Sequence, residues 1–401
     1  MRPSFSISMA LATTVVGFHS YADSINTTTS SLTSTNVAEQ KQSLALQISA
    51  SYADLESSLK AQITEKSLSM PIDKLNSAQP YSTFSSEMQK ADLSYRKMKG
   101  INNFSDSVLE IRMADETMID AWKDGKSPLF AFEPSGDDAD WQYIEAYDVY
   151  GQVHELDVYQ MPDVPVFVID SDGAKELKAG LMAMQAELNQ LGMTTQINAE
   201  GKNSADNTQK QPLIGKARHS ISESEPEELN TTQLTKIRLA VDREPWISGK
   251  AEIYAIVTGV DASRLEPQID LVEMPYLDYD KQTYYPNQTI IFWPRYRWGA
   301  ADIILMEHDD GTNYKELAKL LVKAAEEVLK MIPDPEVQGY VIIPQITSKI
   351  IELIPNNILV NDDDFVDVYY TLLQKTPYVD RPGAGGNAVA SFTPVTILPT
   401  E

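Results

Sequence analysis

Between Gly192 and Asn230 the chain is built almost wholly from Asn, Gln, Ser, Lys, Glu and Thr, with few large apolar residues. Such a stretch cannot bury enough surface to offset its own ordering entropy, so it reads as a polar linker, residues 192–230, between two folding units. Any fold open to this chain must place one unit before it and one after it. With 401 residues in all, each unit has material for a core.

Ahead of the linker, Leu44, Ile48, Tyr52, Leu55, Leu59 and Ile63 recur at steps of three and four and predict one face of a long amphipathic helix. Shorter helical patterns follow at Phe84 to Lys97 and Ala114 to Lys123, which makes residues 23–127 a helical N-terminal region. Four short runs rich in aromatic and β-branched residues come next, starting at Pro128, Trp141, Val153 and Pro165 and separated by Gly, Asp and Pro turns. They predict an antiparallel meander. With a helix over Ala174 to Leu191 they form a small α+β module, residues 128–191.

After the linker, seven strand patterns begin at Leu234, Ala251, Gln268, Gln288, Ala301, Phe365 and Ala388, interrupted by helical segments at Tyr314 to Met331 and around Ile346 to Leu353. Strands at this spacing predict an antiparallel β-sandwich over residues 231–401 with a helical insertion at 313–355. The whole chain is therefore α+β in class.

Met1-Arg2-Pro3, a short apolar stretch from Phe5 to Phe18 and the small-residue end Ser20-Tyr21-Ala22 have the parts of a signal peptide, residues 1–22, cut after Ala22. The expected location is secreted or periplasmic. No other stretch is apolar for long enough to span a bilayer, so no integral membrane segment is expected in the mature chain. The absence of cysteine excludes disulfides, thiol nucleophiles and Cys-ligated metals. A net charge of −25 without a dense Lys/Arg cluster argues against nucleic acid as a partner.

Acids gather at three strand ends: Asp242 and Glu244 flank Arg243, Glu307 leads His308, Asp309 and Asp310, and Asp363 stands within Asp362 to Asp364. The second and third groups end one strand and begin its successor, so an antiparallel sandwich brings them to one edge. Crowded carboxylates are relieved by a hard cation with oxygen ligands, and calcium suits Asp242, Glu244, Glu307, Asp309, Asp310 and Asp363 without His or Cys. The pattern is not an EF-hand. A solvated turn accounts for the same residues, since Asn313 and Glu316 make a capping box for the following helix.

For catalysis, the zinc-protease, nucleophile-elbow, phosphate-loop and dinucleotide motifs are all missing. His308 beside Asp309 is the best single acid–base candidate, although neighbours on a strand end point opposite ways. A pair of carboxylates acting as in a glycosidase stays open as well. In Trp293-Pro-Arg-Tyr-Arg-Trp298, the rings of Trp293, Tyr296 and Trp298 offer a platform for a glycan or a protein surface, or else fill the sandwich core.

Phe130-Ala-Phe-Glu-Pro-Ser-Gly-Asp-Asp138, Trp141 with Ile144-Glu-Ala-Tyr-Asp148, Glu307 to Tyr314, and Asp363 to Leu372 with Pro382-Gly-Ala384 carry a resemblance over nearly the whole mature chain. The chain resembles DUF3103, an uncharacterised family of exported proteins from marine gammaproteobacteria. The resemblance implies a secreted bacterial protein and supplies no activity, ligand or catalytic residue. From the residues themselves the reading is a calcium-binding β-sandwich that holds a surface ligand, glycan or protein. A secreted hydrolase using carboxylates or His308, and a structural or inhibitory protein without ligand, stand as alternatives.

Overall fold

The computed structural model describes residues 23–75, 83–136, 138–198, 228–240, 245–263, 265–308, 311–357 and 365–398. The signal-peptide reading, most of the linker and five of the six expected calcium ligands fall outside them. The long apolar stripe of the N-terminal region forms α1 (Asp23–Ala50) and α2 (Tyr52–Gln62), with Leu44, Ile48, Leu55 and Leu59 buried. Then follow β1 (Ser69–Pro71), α3 (Phe84–Met98), β2 (Leu109–Met113), α4 (Ile119–Lys123), β3 (Leu129–Phe132), β4 (Ile144–Tyr147), β5 (Val153–Leu156), β6 (Val166–Ser171), α5 (Gly173–Gln190) and the two-residue β7 (Ile197–Asn198).

The first sheet has the order β1-β2-β6-β3-β4-β5. It departs from the expected meander in two ways. Strand β6 does not continue from β5 but returns between β2 and β3, pairing parallel to β3 with Phe130 opposite Phe167. All six of its residues are buried, and a strand without a solvent face is most stable with neighbours on both sides. Strand β2 lies in the region expected to be helical; its buried residues alternate with half-buried ones over Leu109-Glu-Ile-Arg-Met113, a period-two signal only five residues long.

The second half runs β8 (Leu229–Leu239), β9 (Ile253–Val260), β10 (Pro267–Glu273), β11 (Thr283–Tyr284), β12 (Gln288–Phe292), β13 (Ala300–Glu307), α6 (Tyr314–Met331), α7 (Pro335–Gln338), α8 (Ile343–Asn357), β14 (Phe365–Leu373), β15 (Tyr378–Pro382) and β16 (Ala388–Ile397). One sheet has the order β14-β13-β9-β10-β7 and the other β11-β8-β16-β15, with β12 also on β8. Their facing sides enclose a core that includes Leu234, Ile237, Val257, Ile303, Tyr369 and Phe392. Each of the seven predicted strands is present within a few residues of its expected bounds, and the helical insertion is α6 to α8.

The other side of the β9–β13 sheet is covered by helices. Helix α8 packs on β9, β13 and β14, α6 on α5 and α8, and α1 on β3, β6 and α8. One continuous apolar cluster therefore passes from Phe130 and Phe167 of the first sheet through Leu177, Leu321 and Ile350 of the helices to Ile256 and Ile304. The order of layers is sheet, helices, sheet, sheet. The sequence pattern puts two folding units either side of the linker, and the helical layer is common to both. Gly180 in α5 makes one of its close approaches, since a Cβ there would fall 2.2 Å from the Tyr314 ring of α6. No described helix is long and apolar enough to cross a membrane.

Candidate functional site at the edge of the first sheet

Strands β3 and β6 run parallel and side by side, and their carboxyl ends open on a cleft of about 650 Å³. Ligands of open α/β sheets bind outside such ends, where the backbone leaves the sheet and side chains can converge. Here Glu133 and Pro134 follow β3, and Asp170, Ser171 and Asp172 finish β6 and lead into α5. The antiparallel β2 brings its beginning to the same edge and contributes Glu110 and Arg112. The second half closes the opposite wall with Pro245, Ser248, Lys250, Glu252, Glu307 and His308, and Trp141, Trp246 and Tyr279 supply aromatic surface. Among the described residues, eight carboxylates line this space against Arg112 and Lys250.

Glu110 and Asp170 are opposite one another in the β2–β6 ladder. Directly opposed residues of paired strands share a face with Cβ atoms about 5 Å apart, and two like charges there repel. The pair resolves this unequally. Asp170 takes both nearby cations: its Oδ1 lies 3.2 Å from Lys41 Nζ and its Oδ2 accepts from Arg112 Nε at 2.7 Å. It also accepts the Ser171 N–H at 2.8 Å. Glu110 keeps a hydroxyl partner, Ser69, and its burial, with Asp170 and Asp172 beside it, pushes its carboxyl up to about 7. A carboxyl titrating near neutrality next to one held by two cations is the arrangement by which two acids acquire different roles.

The supports of this pair come from several elements. Lys41 is fully buried in α1 and also reaches Glu133 at 3.5 Å. Arg112 donates to the Ile247 carbonyl and so ties the first sheet to the second half across the cleft floor. The Asp170 carboxylate raises the Arg112 guanidinium above its ordinary value against the opposing effect of burial, so this cation stays charged. None of Lys41, Arg112, Glu110 and Asp170 stands out in the sequence. The one local signal is the alternation of Glu110 and Arg112 on β2, and it is visible only once that strand is recognised.

His308, the imidazole expected to act as acid or base, does reach the cleft wall, but its ring faces inward. Its Nε2 is 3.3 Å from Glu176 Oε1 and its Nδ1 is 2.9 Å from the Tyr314 hydroxyl. Glu176, wholly buried in α5, also meets Lys99 Nζ at 2.8 Å and accepts the Tyr95 hydroxyl at 2.8 Å. Nδ1 is engaged by Tyr314 and Nε2 is turned toward the Glu176 carboxylate, so the ring is aimed at groups inside the protein. Among the described residues the carboxylate nearest its ring is Glu176, while Asp309 lies outside them.

Among the expected calcium ligands, Glu307 ends β13 and lines the cleft. Met306 pairs with Phe365, so the end of β13 and the start of β14 share one edge, as an antiparallel pair requires. Asp242, Glu244, Asp309, Asp310 and Asp363 lie outside the described residues. Among the described residues no group of three or more His, Asp or Glu could hold a metal ion.

The aromatic platform does not form as expected. Trp293 is 3 % exposed and Tyr296 is 4 % exposed, both in the core between the sheets. Trp293 Nε1 donates to Thr232 Oγ1 at 3.0 Å, and the Tyr296 hydroxyl donates to Asp270 Oδ2 at 2.7 Å. Their polar atoms are satisfied inside, which lets the rings stay buried. Trp298 is half-buried at φ 60°, with the Arg297 guanidinium 5.9 Å from its ring centre.

Residues 41–400 match the model of a family described as a protein of unknown function, DUF3103. The chain belongs to that family. No curated protein matches it, and no solved structure does.

Proposed function

We propose that this member of the DUF3103 family is an exported hydrolase that works by carboxylate acid–base chemistry in the cleft at the edge of the first sheet. The observation that carries the reading is the opposed pair of Glu110, raised to about 7, and Asp170, clasped by Lys41 and Arg112. Glu110 would hold or move the proton at the scissile bond, and Asp170 would stabilise positive charge that develops opposite it. Carboxylates combined with Trp141, Trp246 and Tyr279 suit a neutral, polyhydroxylated substrate, whose hydroxyls bond to acids and whose ring faces stack on aromatics. A glycoside is therefore the substrate class.

The test is turnover of a panel of aryl glycosides by the chain without residues 1–22. Glu110→Gln should lower kcat by about 10²- to 10⁴-fold while leaving binding of the substrate in place. The wild-type rate should carry one limb that titrates near neutral pH and is absent from the variant. Glycoside binding without any turnover, or an unchanged rate in Glu110→Gln, rejects the assignment.

The excess of carboxylates over cations around the cleft favours calcium as a second reading, with Glu307 joined by Asp242, Glu244, Asp309, Asp310 and Asp363. Calcium at about a hundred times its dissociation constant should add about 2.7 kcal/mol to stability, against no shift with magnesium. A thermal transition that stays put between EDTA and millimolar calcium removes this reading and leaves the acid–base one intact.

A further inference from the structure

The first sheet ends on β5, and nothing in the described residues covers it. The strand is exposed along Val153, His154 and Glu155 and half-exposed at Leu156, and among the described residues its backbone has no hydrogen-bond partner beyond β4. The other edges are protected. Strand β1 is three residues long and ends in Pro71, β7 and β11 have two residues each, β12 is bulged between Thr289 and Ile291, and β15 is interrupted by a bulge and closes on Pro382. The long β14 has its outer side occupied, with Ala384 N–H donating to the Val368 carbonyl and Arg381 to that of Tyr370. Proteins normally blunt an open edge with Lys, Pro or a bulge, and β5 carries none of these.

The surface around β5 has a definite chemistry. Tyr143, Tyr150, Val153, Tyr159 and Met161 are all exposed, Tyr150 by 85 %, so the hairpin β4–β5 and its flanks hold an unusual density of open apolar side chains. Between Lys126 and Lys175 the sequence has no Lys or Arg, while eleven Asp and Glu fall in that interval, with Glu155 exposed on the strand and Asp157 exposed just after it. A second copy of a chain with net charge −25 meets this edge with like charge, whereas a cationic segment meets it with opposite charge.

We propose that β5 is a docking edge for an extended segment of another polypeptide, rich in Lys or Arg and alternating with apolar residues, which adds to the first sheet as a further strand. Backbone hydrogen bonds to β5 would supply the register-independent part of the affinity, and Val153 with the neighbouring tyrosines would receive the apolar side chains. The acids around the strand would select for positive charge and speed encounter. The inference stands apart from the acid–base cleft, since it uses none of that pair.

The probe is a fluorescent peptide of alternating lysine and valine, titrated against the full chain by anisotropy, with an alternating glutamate–valine peptide and a lysine–valine peptide N-methylated at alternate residues as controls. Binding of the first alone, weakened at least tenfold by raised salt or by Val153→Lys with Glu155→Lys, and slowed amide exchange at residues 153–156 are the expected results. Glu65→Lys, an exposed site on another element, should leave binding unchanged and shows that net charge alone is not being read. Equal binding of the N-methylated peptide, unprotected amides in β5, or full affinity in the double variant overturns the proposal. So does a concentration-dependent dimer that protects the same amides.

Discussion

Two buried aspartates at similar depth in the two halves have different neighbours. Asp270, on β10 and 2 % exposed, takes Arg295 through both oxygens at 2.7 and 2.8 Å, the Tyr296 hydroxyl at 2.7 Å and the Gln196 N–H at 2.9 Å. Burial and this carboxylate push the Tyr296 phenol well above its ordinary value, so the ring stays neutral and donating. Both oxygens are engaged within the protein, and the group is structural. Asp170, 8 % exposed on β6, is also clasped by cations, but its cross-strand neighbour Glu110 has no ion-pair partner among the described residues, and both line a cleft. What distinguishes a structural acid from a reactive one here is not burial. It is whether the surroundings finish the neutralisation.

The largest effect should come from breaking the closed cluster. Arg295→Ala leaves Asp270 buried and short of its cation, and urea unfolding should report a loss of about 3 to 5 kcal/mol. A loss below about 1 kcal/mol means that Asp270 is not closed off in the way its bonds indicate. Lys41→Met, behind the Asp170 carboxylate, should cost less, about 2 kcal/mol, because Arg112 and the Ser171 N–H still hold Asp170. A cost equal to that of Arg295→Ala would erase the contrast between the halves.

The smallest effect is also the most specific. The folded-state value of Glu110 is raised, so the fold favours its protonated form; its contribution is complete at acid pH and is lost as pH rises through about 7. Wild type and Glu110→Gln should thus be close in stability near pH 4, and the variant should be ahead by about 1 to 2 kcal/mol at pH 8. Chemical unfolding at a series of pH values checks it. A difference that grows instead as pH falls would mean that Glu110 is a stabilising ionised group, and the unequal pair would disappear with it.

Much of the architecture is legible in the sequence, because it rests on periodicity. The stripe from Leu44 to Ile63, the seven strands of the second half and the helix at Tyr314 to Met331 each repeat a local rule often enough to stand above chance, and each is present, although the single long helix expected for the stripe is broken at Ser51 into α1 and α2. Asn313 indeed caps α6, accepting from Lys315 N and Glu316 N at 3.2 Å. Short elements carry too few repeats, so β2 hides within a helical region and the place of β6 in the sheet does not follow from its own residues. The candidate site is the least legible part. Its acids are separated by about sixty residues between Glu110 and Asp170, and Lys41 is further still, so no local window contains them together.

The sequence by itself determined which of the longer segments are helix or strand, that the chain is α+β, and that its overall charge is strongly negative, since each of these follows from neighbours along the chain and from composition. Tertiary structure alone decided that β6 inserts between β2 and β3, that the His308 ring meets Glu176, and that Trp293 and Tyr296 go inside. Pairing of strands and burial of side chains depend on which distant groups can satisfy a carboxylate or an N–H, and that information is held by the packed whole.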